Sequence, residues 1–247
     1  MEKIFSKVHY LLLLSIGILA TGLTLTYTIS VSLGHVYYWF PFISDTGAEP
    51  PESGIFGFTL NITTVLLVIS MYLRYCQMNC VKKVGVIIIT GLEQNSCIFG
   101  LLSCFGLNMV ANFSEIDMGI THLTGAFLCF TTATIYFIIQ TKISYHFINH
   151  DSGFSVSKTL FCCRFLLCLF MATFYFLTLW YGKLATDEFT GKKLNYWREN
   201  DGGFQYRLIS TFSEWITTIC IALYIMTFTL EFRKIECIGI TVRLKTS

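Results

Sequence analysis

Six long apolar stretches, separated by short polar loops, leave this chain few folds to choose from. They run roughly Val8–Leu33, Gly54–Leu73, Asn95–Phe113, Ile120–Thr141, Thr159–Trp180 and Leu208–Leu230. Each holds about 19 to 26 residues, enough to cross a hydrocarbon core of ~30 Å at 1.5 Å rise per residue. Lipid offers the backbone no hydrogen-bond partners, so runs of this length are helices. One such run is compatible with a buried helix of a soluble protein, whereas six in 247 residues indicate an all-α, polytopic membrane bundle. Charged residues make up 13% of the chain, against ~25% in ordinary soluble domains. The expected organisation is a single six-helix transmembrane domain over residues 1–247. A net charge of +2 gives no footprint for nucleic acid.

The positive charges set the orientation. One side holds Lys3, Lys7, Arg74, Lys82, Lys83, Lys142, Lys158, Arg164, Arg233, Lys234, Arg243 and Lys245; the other holds Lys183, Lys192, Lys193, Arg198 and Arg207. Twelve against five, of the 17 present, predicts both termini in the cytosol and three loops facing a lumen or the exterior. The N-terminal run continues well past the ~7–15 residues of a signal-peptide core, so the first span reads as uncleaved. Of the ten cysteines, none falls in a lumen-facing loop, and no disulfide framework is expected.

With that orientation, polar groups gather in the luminal halves of the spans. Asn61 lies near the luminal end of the second span, Asn108 and Asn112 near that of the third, and His122 near the luminal start of the fourth. Thr21, Thr24 and Thr28 share one face of the first. Glu214 lies seven residues past Arg207, ~10 Å below the luminal surface. A charge at such depth costs ~2.5–3.5 kcal/mol on insertion scales, so Glu214 should face the bundle interior or a wet cavity. Its two readings are a luminal-side binding site and a protonated acid bonded to a neighbouring helix. The cytosolic halves are plainer, as in Val65–Ile69 and Ala222–Met226, and Arg164 reads as a snorkelling side chain. Glu93 is either inside an early-starting third helix or preceded by an interfacial Val84–Thr90 segment.

Catalytic signatures such as G-x-S-x-G and H-E-x-x-H are absent, as are phosphate-binding glycine loops. His146 and His150, followed by Asp151, form a loop pair without a third ligand, so neither a metal nor a cofactor is expected. No two of the 18 glycines are four apart, which removes the G-x-x-x-G dimer motif.

The first luminal loop holds all three prolines and the run Pro41-Phe-Ile-Ser-Asp-Thr-Gly47, then Pro50-Pro-Glu-Ser-Gly-Ile-Phe-Gly-Phe58. Ser44–Gly47 is turn chemistry, with Gly47 expected to supply φ > 0. Met71–Tyr75, Cys104–Leu107, Val110–Phe113, Ser144-Tyr145 and Glu214-Trp215 follow in order. On these stretches the chain resembles the damage-regulated autophagy modulator (DRAM) family of six-span membrane proteins. Its Glu-Ser-Gly-Ile-Phe-Gly-Phe wording and short tail look nearest the founding, short-tailed member. The resemblance implies a lysosomal, non-enzymatic protein that promotes autophagy and stress-linked apoptosis through membrane lipids or membrane-protein partners. A lipid-remodelling enzyme, a lipid transfer protein and a proton-coupled transporter are the rivals. The residues expected to contact lipid or a partner are Asp45, Glu52, Asn61, Asn112, His122 and Glu214.

Overall fold

The computed structural model describes residues 3–5, 7–83, 91–148, 155–191, 193 and 195–238. Val84–Thr90, His150, Asp151, Lys192, Arg243 and Lys245 lie outside the described residues. Six long helices build the bundle: α1 (His9–Leu33), α2 (Glu52–Lys83), α3 (Leu92–Asn112), α4 (Gly119–His146), α5 (Lys158–Glu188) and α6 (Phe204–Thr227). A short α7 (Thr229–Phe232) continues α6 beyond a break at Phe228. None of these helices contains proline, which would remove a ladder donor.

The chain is thus a helical polytopic membrane protein, with five helices long and apolar enough to cross a bilayer among the described residues. The helix outside that set is α3. Its 21 residues span ~31 Å, but they include Glu93, Gln94, Asn95, Asn108 and Asn112. Gly91, at φ 89°, turns the chain into α3, so Glu93 sits buried in the helix's first turn.

Helices α1 to α4 pack as successive neighbours, and α5 packs on α6. The α3–α4 contact is close because two glycines meet there: a Cβ on Gly106 would lie 2.5 Å from the Cys129 nitrogen. Small residues thus bring two backbones together without a G-x-x-x-G repeat. One departure from an all-helical chain is a strand pair, β1 (Lys3–Phe5) antiparallel to β2 (Cys237–Ile238), which joins the segment before α1 to the segment after α7.

The half of the bundle nearest the chain ends is not plain. Arg74 of α2, Arg164 of α5 and Glu231 of α7 form a buried triad. Arg74 Nη1 donates to Glu231 Oε1 at 3.0 Å, and Arg164 Nη2 donates to Oε2. Arg164 does not snorkel; it is 0% exposed. Its Nη1 donates to Ser144 Oγ at 2.7 Å and its Nε to Thr227 Oγ1 at 2.9 Å. Gln140 accepts from Arg74 Nε at 3.0 Å and donates to Ser96 Oγ at 2.6 Å. The sequence pattern hides this cluster because its members are far apart in the chain. Only the packing of α2, α4, α5 and α7 assembles them.

Removing Glu231 alone leaves two buried guanidinium groups facing each other. We expect Glu231→Leu to destabilise the protein by about 3–5 kcal/mol, and Arg74→Met with Arg164→Leu in the same chain to restore most of it. Thermal unfolding in detergent reads this directly. A Glu231→Leu variant as stable as wild type would show that the triad is not a structural anchor.

Candidate functional site

At the opposite end, α1 stops where Gly34 adopts φ 72° and closes its N–H onto the Ser30 and Val31 carbonyls. Residues 35–51 then fold back over the bundle mouth and bond to nearly every element there. Tyr27 OH donates to the Tyr38 carbonyl at 2.7 Å, Trp215 Nε1 to the Pro41 carbonyl at 3.0 Å, and Asn195 Nδ2 to Glu49 Oε1 at 3.1 Å. Thr26 and Thr46 hydroxyls meet at 3.1 Å.

Asp45 opens a 3-10 turn, Asp45–Gly47, and is 2% exposed. Its Oδ2 accepts the Phe42 N–H at 2.9 Å and pairs with the Arg207 guanidinium of α6. Arg207 is itself held over the rings of Phe42 and Trp197, 4.8 and 4.6 Å from their centroids. Asp45 Oδ1 is buried without a hydrogen-bond partner. Burial pushes the Asp45 carboxyl well above its usual range; Arg207 opposes this, while the charges of Glu115 and Glu214 add to it. Three carboxyls thus stand near one guanidinium.

Gly47 does not have the left-handed backbone expected of it: the glycines at positive φ are 34, 91 and 203 among the described residues. Space requires the glycine instead, because a Cβ there would lie 2.2 Å from the Phe56 ring. Glu52, the first residue of α2, is fully buried, and its Oε1 lies 2.5 Å from His35 Nδ1.

Glu214 Oε2 accepts the Ile43 N–H at 2.9 Å, so the loop caps this carboxyl from above. His122 Nδ1 bonds the Phe113 carbonyl at 2.7 Å. Both side chains line two adjoining cavities. The inner one, about 120 Å³, is walled by apolar residues such as Leu67, Leu107, Ala133 and Ile225. The outer one, about 450 Å³, lies between α4 and α5 and adds Glu115, Phe127, Tyr175 and Lys183. Asp45, His122 and Glu214 therefore share one end of the bundle, but each is bonded to a different partner.

Asn61 and Asn112 are elsewhere. Together with Asn108 they form a carboxamide cluster on the outer face of α2 and α3. Asn108 and Asn112 Nδ2 donate to Asn61 Oδ1 at 2.7 and 3.0 Å, and Asn61 Nδ2 returns a bond to Asn112 Oδ1 at 3.1 Å. Thr21, Thr24 and Thr28 likewise face outward, and the hydroxyls of Thr24 and Thr28 bond back to their own helix.

With this geometry in view, comparison with known proteins is informative. Residues 8–235 match the family described as the Frag1/DRAM/Sfk1/Cwh43P N-terminal domain. The chain belongs to this family. It is 29% identical over 230 residues to DNA damage-regulated autophagy modulator protein 1 of Xenopus laevis, covering 92% of this chain and 89% of that one. It is 33% identical over 217 residues to the human DNA damage-regulated autophagy modulator protein 2, covering 85% and 79%. Modulator of macroautophagy TMEM150B-B of Xenopus laevis matches at 34% over 143 residues, 57% of this chain and 60% of that one. No solved structure matches.

In this DRAM-family chain, sequence reasoning singled out Asp45 and Glu214 but missed Arg207, Glu115 and Thr26. Arg207 read as a luminal loop charge, although its place at the start of an apolar run, seven residues before Glu214, was a usable signal. Glu115 carried none, because a carboxylate in a short loop is ordinarily solvated; here it accepts a bond from Ser44 Oγ at 2.9 Å.

The Gly47–Phe56 contact gives a direct test of how the loop is seated. Gly47→Val should lower stability by about 1–3 kcal/mol through overpacking. Combining it with Phe56→Leu should recover part of that loss. If both variants melt like wild type, the loop does not pack on α2 in this way.

Proposed function

We propose that this chain is a six-span lysosomal membrane protein that promotes autophagy and stress-linked cell death without catalysing a reaction, acting through lipid held in the cavities beside Glu214. The observation that carries the reading is the family match over residues 8–235, with relatives named as autophagy modulators. The cavities supply the physical means: an apolar interior with polar groups at its mouth is what a lipid with its headgroup requires.

A six-span bundle with cytosolic termini is supported by two features. The β1–β2 pairing sets Lys3–Phe5, before the first span, beside Cys237–Ile238, after the last, as an even number of spans requires. In addition, Arg74, Arg164 and Arg207 are buried ion-pair partners and drop out of the loop-charge comparison, leaving ten positive residues against four, still on the side of the termini. Lysosomal residence rests on the resemblance. Tyr145–Ile148 is a poor sorting signal, since Phe147 is buried against Met78 and Ile143.

The non-enzymatic reading is favoured by how the polar groups are engaged. His122 is bonded to a backbone carbonyl and Asp45 to Arg207, so neither is aimed at the other or at Glu214.

Topology is checked with single cysteines at Lys7, Tyr38 and Lys234, in a background whose exposed Cys80, Cys162 and Cys163 are serine. In sealed vesicles an impermeant thiol reagent added from the cytosolic side should label positions 7 and 234 and spare 38. Labelling of 7 and 234 from opposite sides would remove the six-span arrangement.

Function is checked at Glu214. Glu214→Gln preserves size and the bond from Ile43, so abundance and delivery should be normal while autophagic flux falls. Glu214→Leu removes that acceptor and orphans the Ile43 N–H. Wild-type flux in both variants at equal expression would detach Glu214 from function.

A further inference from the structure

The charge balance at the mouth of the outer cavity restricts which lipid fits there, on the reading that these cavities hold lipid. Two carboxyls, Glu115 and Glu214, line that cavity, and among the described residues neither is in an ion pair. Each has one oxygen engaged by a neutral donor, Ser44 Oγ–H for Glu115 and Ile43 N–H for Glu214. The cations on the same wall are already committed. Arg207 is paired with Asp45 and sandwiched between Phe42 and Trp197. Lys183 pairs with Asp187 at 3.2 Å, and its side chain is 76% exposed.

His122 adds a third acceptor. Its Nδ1 faces the Phe113 carbonyl and must donate, which in the neutral ring leaves Nε2 as an acceptor. Three acceptors on one wall, where among the described residues both cations are ion-paired, match an ammonium, which carries three N–H donors. The aromatic rings of Phe127, Phe130 and Tyr175 on the same cavity suit a cation as well. A phosphate or carboxylate headgroup would instead set its charge against Glu115 and Glu214 at low dielectric.

The shape points the same way. Helices α4 and α5 touch far less than α3 and α4 or α5 and α6 do. The cleft between them is pinned at the far end by Arg164–Ser144 and Thr141–Cys168, and midway by Thr131 and Tyr175, whose hydroxyls meet at 2.8 Å. Towards Glu214 it widens into the outer cavity, open to the side. The apolar inner cavity, at about 120 Å³ much the smaller, adjoins it and is lined by Cys129, Ala133 and Ile225. A space of that size suits one chain better than two.

We propose that the α4–α5 cleft binds a single-chain lipid amine, such as a sphingoid base, with its ammonium between Glu115, Glu214 and His122 and its chain directed into the inner cavity.

The test uses the full-length protein in lipid nanodiscs and three photoreactive probes with the same chain: a sphingoid base, a fatty acid and a phosphate-bearing lysolipid. The sphingoid base should label peptides of α4 and α5 most strongly. Glu115→Gln with Glu214→Gln should reduce that labelling roughly tenfold while leaving the fatty acid probe no weaker. Ala126→Trp, which fills the wall shared by both cavities, should abolish labelling by every probe; thermal melting confirms that each variant is folded. Equal labelling by all three headgroups, with Ala126→Trp still blocking it, overturns the amine assignment and leaves a lipid site. Labelling that survives Ala126→Trp, or none in the cleft from any probe, overturns the lipid-site reading itself.

Discussion

Glu231 holds two guanidinium groups buried from the surface, and the bundle is arranged around that fact. The triad ties α2, α5 and the tail of α6 at one level. Gln140 and Ser144 extend it to α4. In lipid the hydrophobic effect does not drive helices together, so close packing and interhelical polar contacts must do so. Here the polar contacts are concentrated in two layers. Along α2 the triad level at Arg74 and the loop level at Glu52 are 22 residues apart, or ~33 Å. Between them lies an apolar core built on Leu67, Met71, Phe137, Tyr224 and Phe228.

The two layers are unequal in charge and in tightness. The triad has two cations and one anion, packed with little free space around Arg74. In the loop layer the buried guanidinium of Arg207 stands near three carboxyls, with room beside them. A tight, over-positive layer suits a fastener. A roomy, over-negative layer suits a place where something arrives.

How much of this was legible in the sequence depended on whether the signal was local. Helix existence was, because apolar runs of span length admit no other backbone solution. The first loop's importance was too, since its prolines, Asp45 and Gly47 lie side by side. The outward carboxamide trio was half legible: Asn61, Asn108 and Asn112 were all marked as polar near the same ends of their spans, but depth does not say which face a residue takes. The triad was illegible for the same reason. Arg74 and Glu231 are 157 residues apart, and nothing in either neighbourhood distinguishes a buried Arg from a snorkelling one. Gly47 was identified for its freedom of φ, whereas the requirement came from a ring nine residues on that only the fold brings over it.

The lid made by residues 35–51 also has a consequence for the order in which the chain can be made. Its keystone bonds join Asp45 to Arg207, 162 residues later, and Ile43 to Glu214, 171 residues later. At ~5–20 residues per second of synthesis, roughly 10–30 s separate the emergence of Asp45 from that of its cation. During that interval the first hairpin is in the membrane with its lid unlatched and a carboxyl waiting. The mouth of the bundle can close only when the last hairpin arrives, so a nascent chain stalled before α6 would present an open, acidic vestibule, a mark by which the cell's quality control could distinguish unfinished protein from finished.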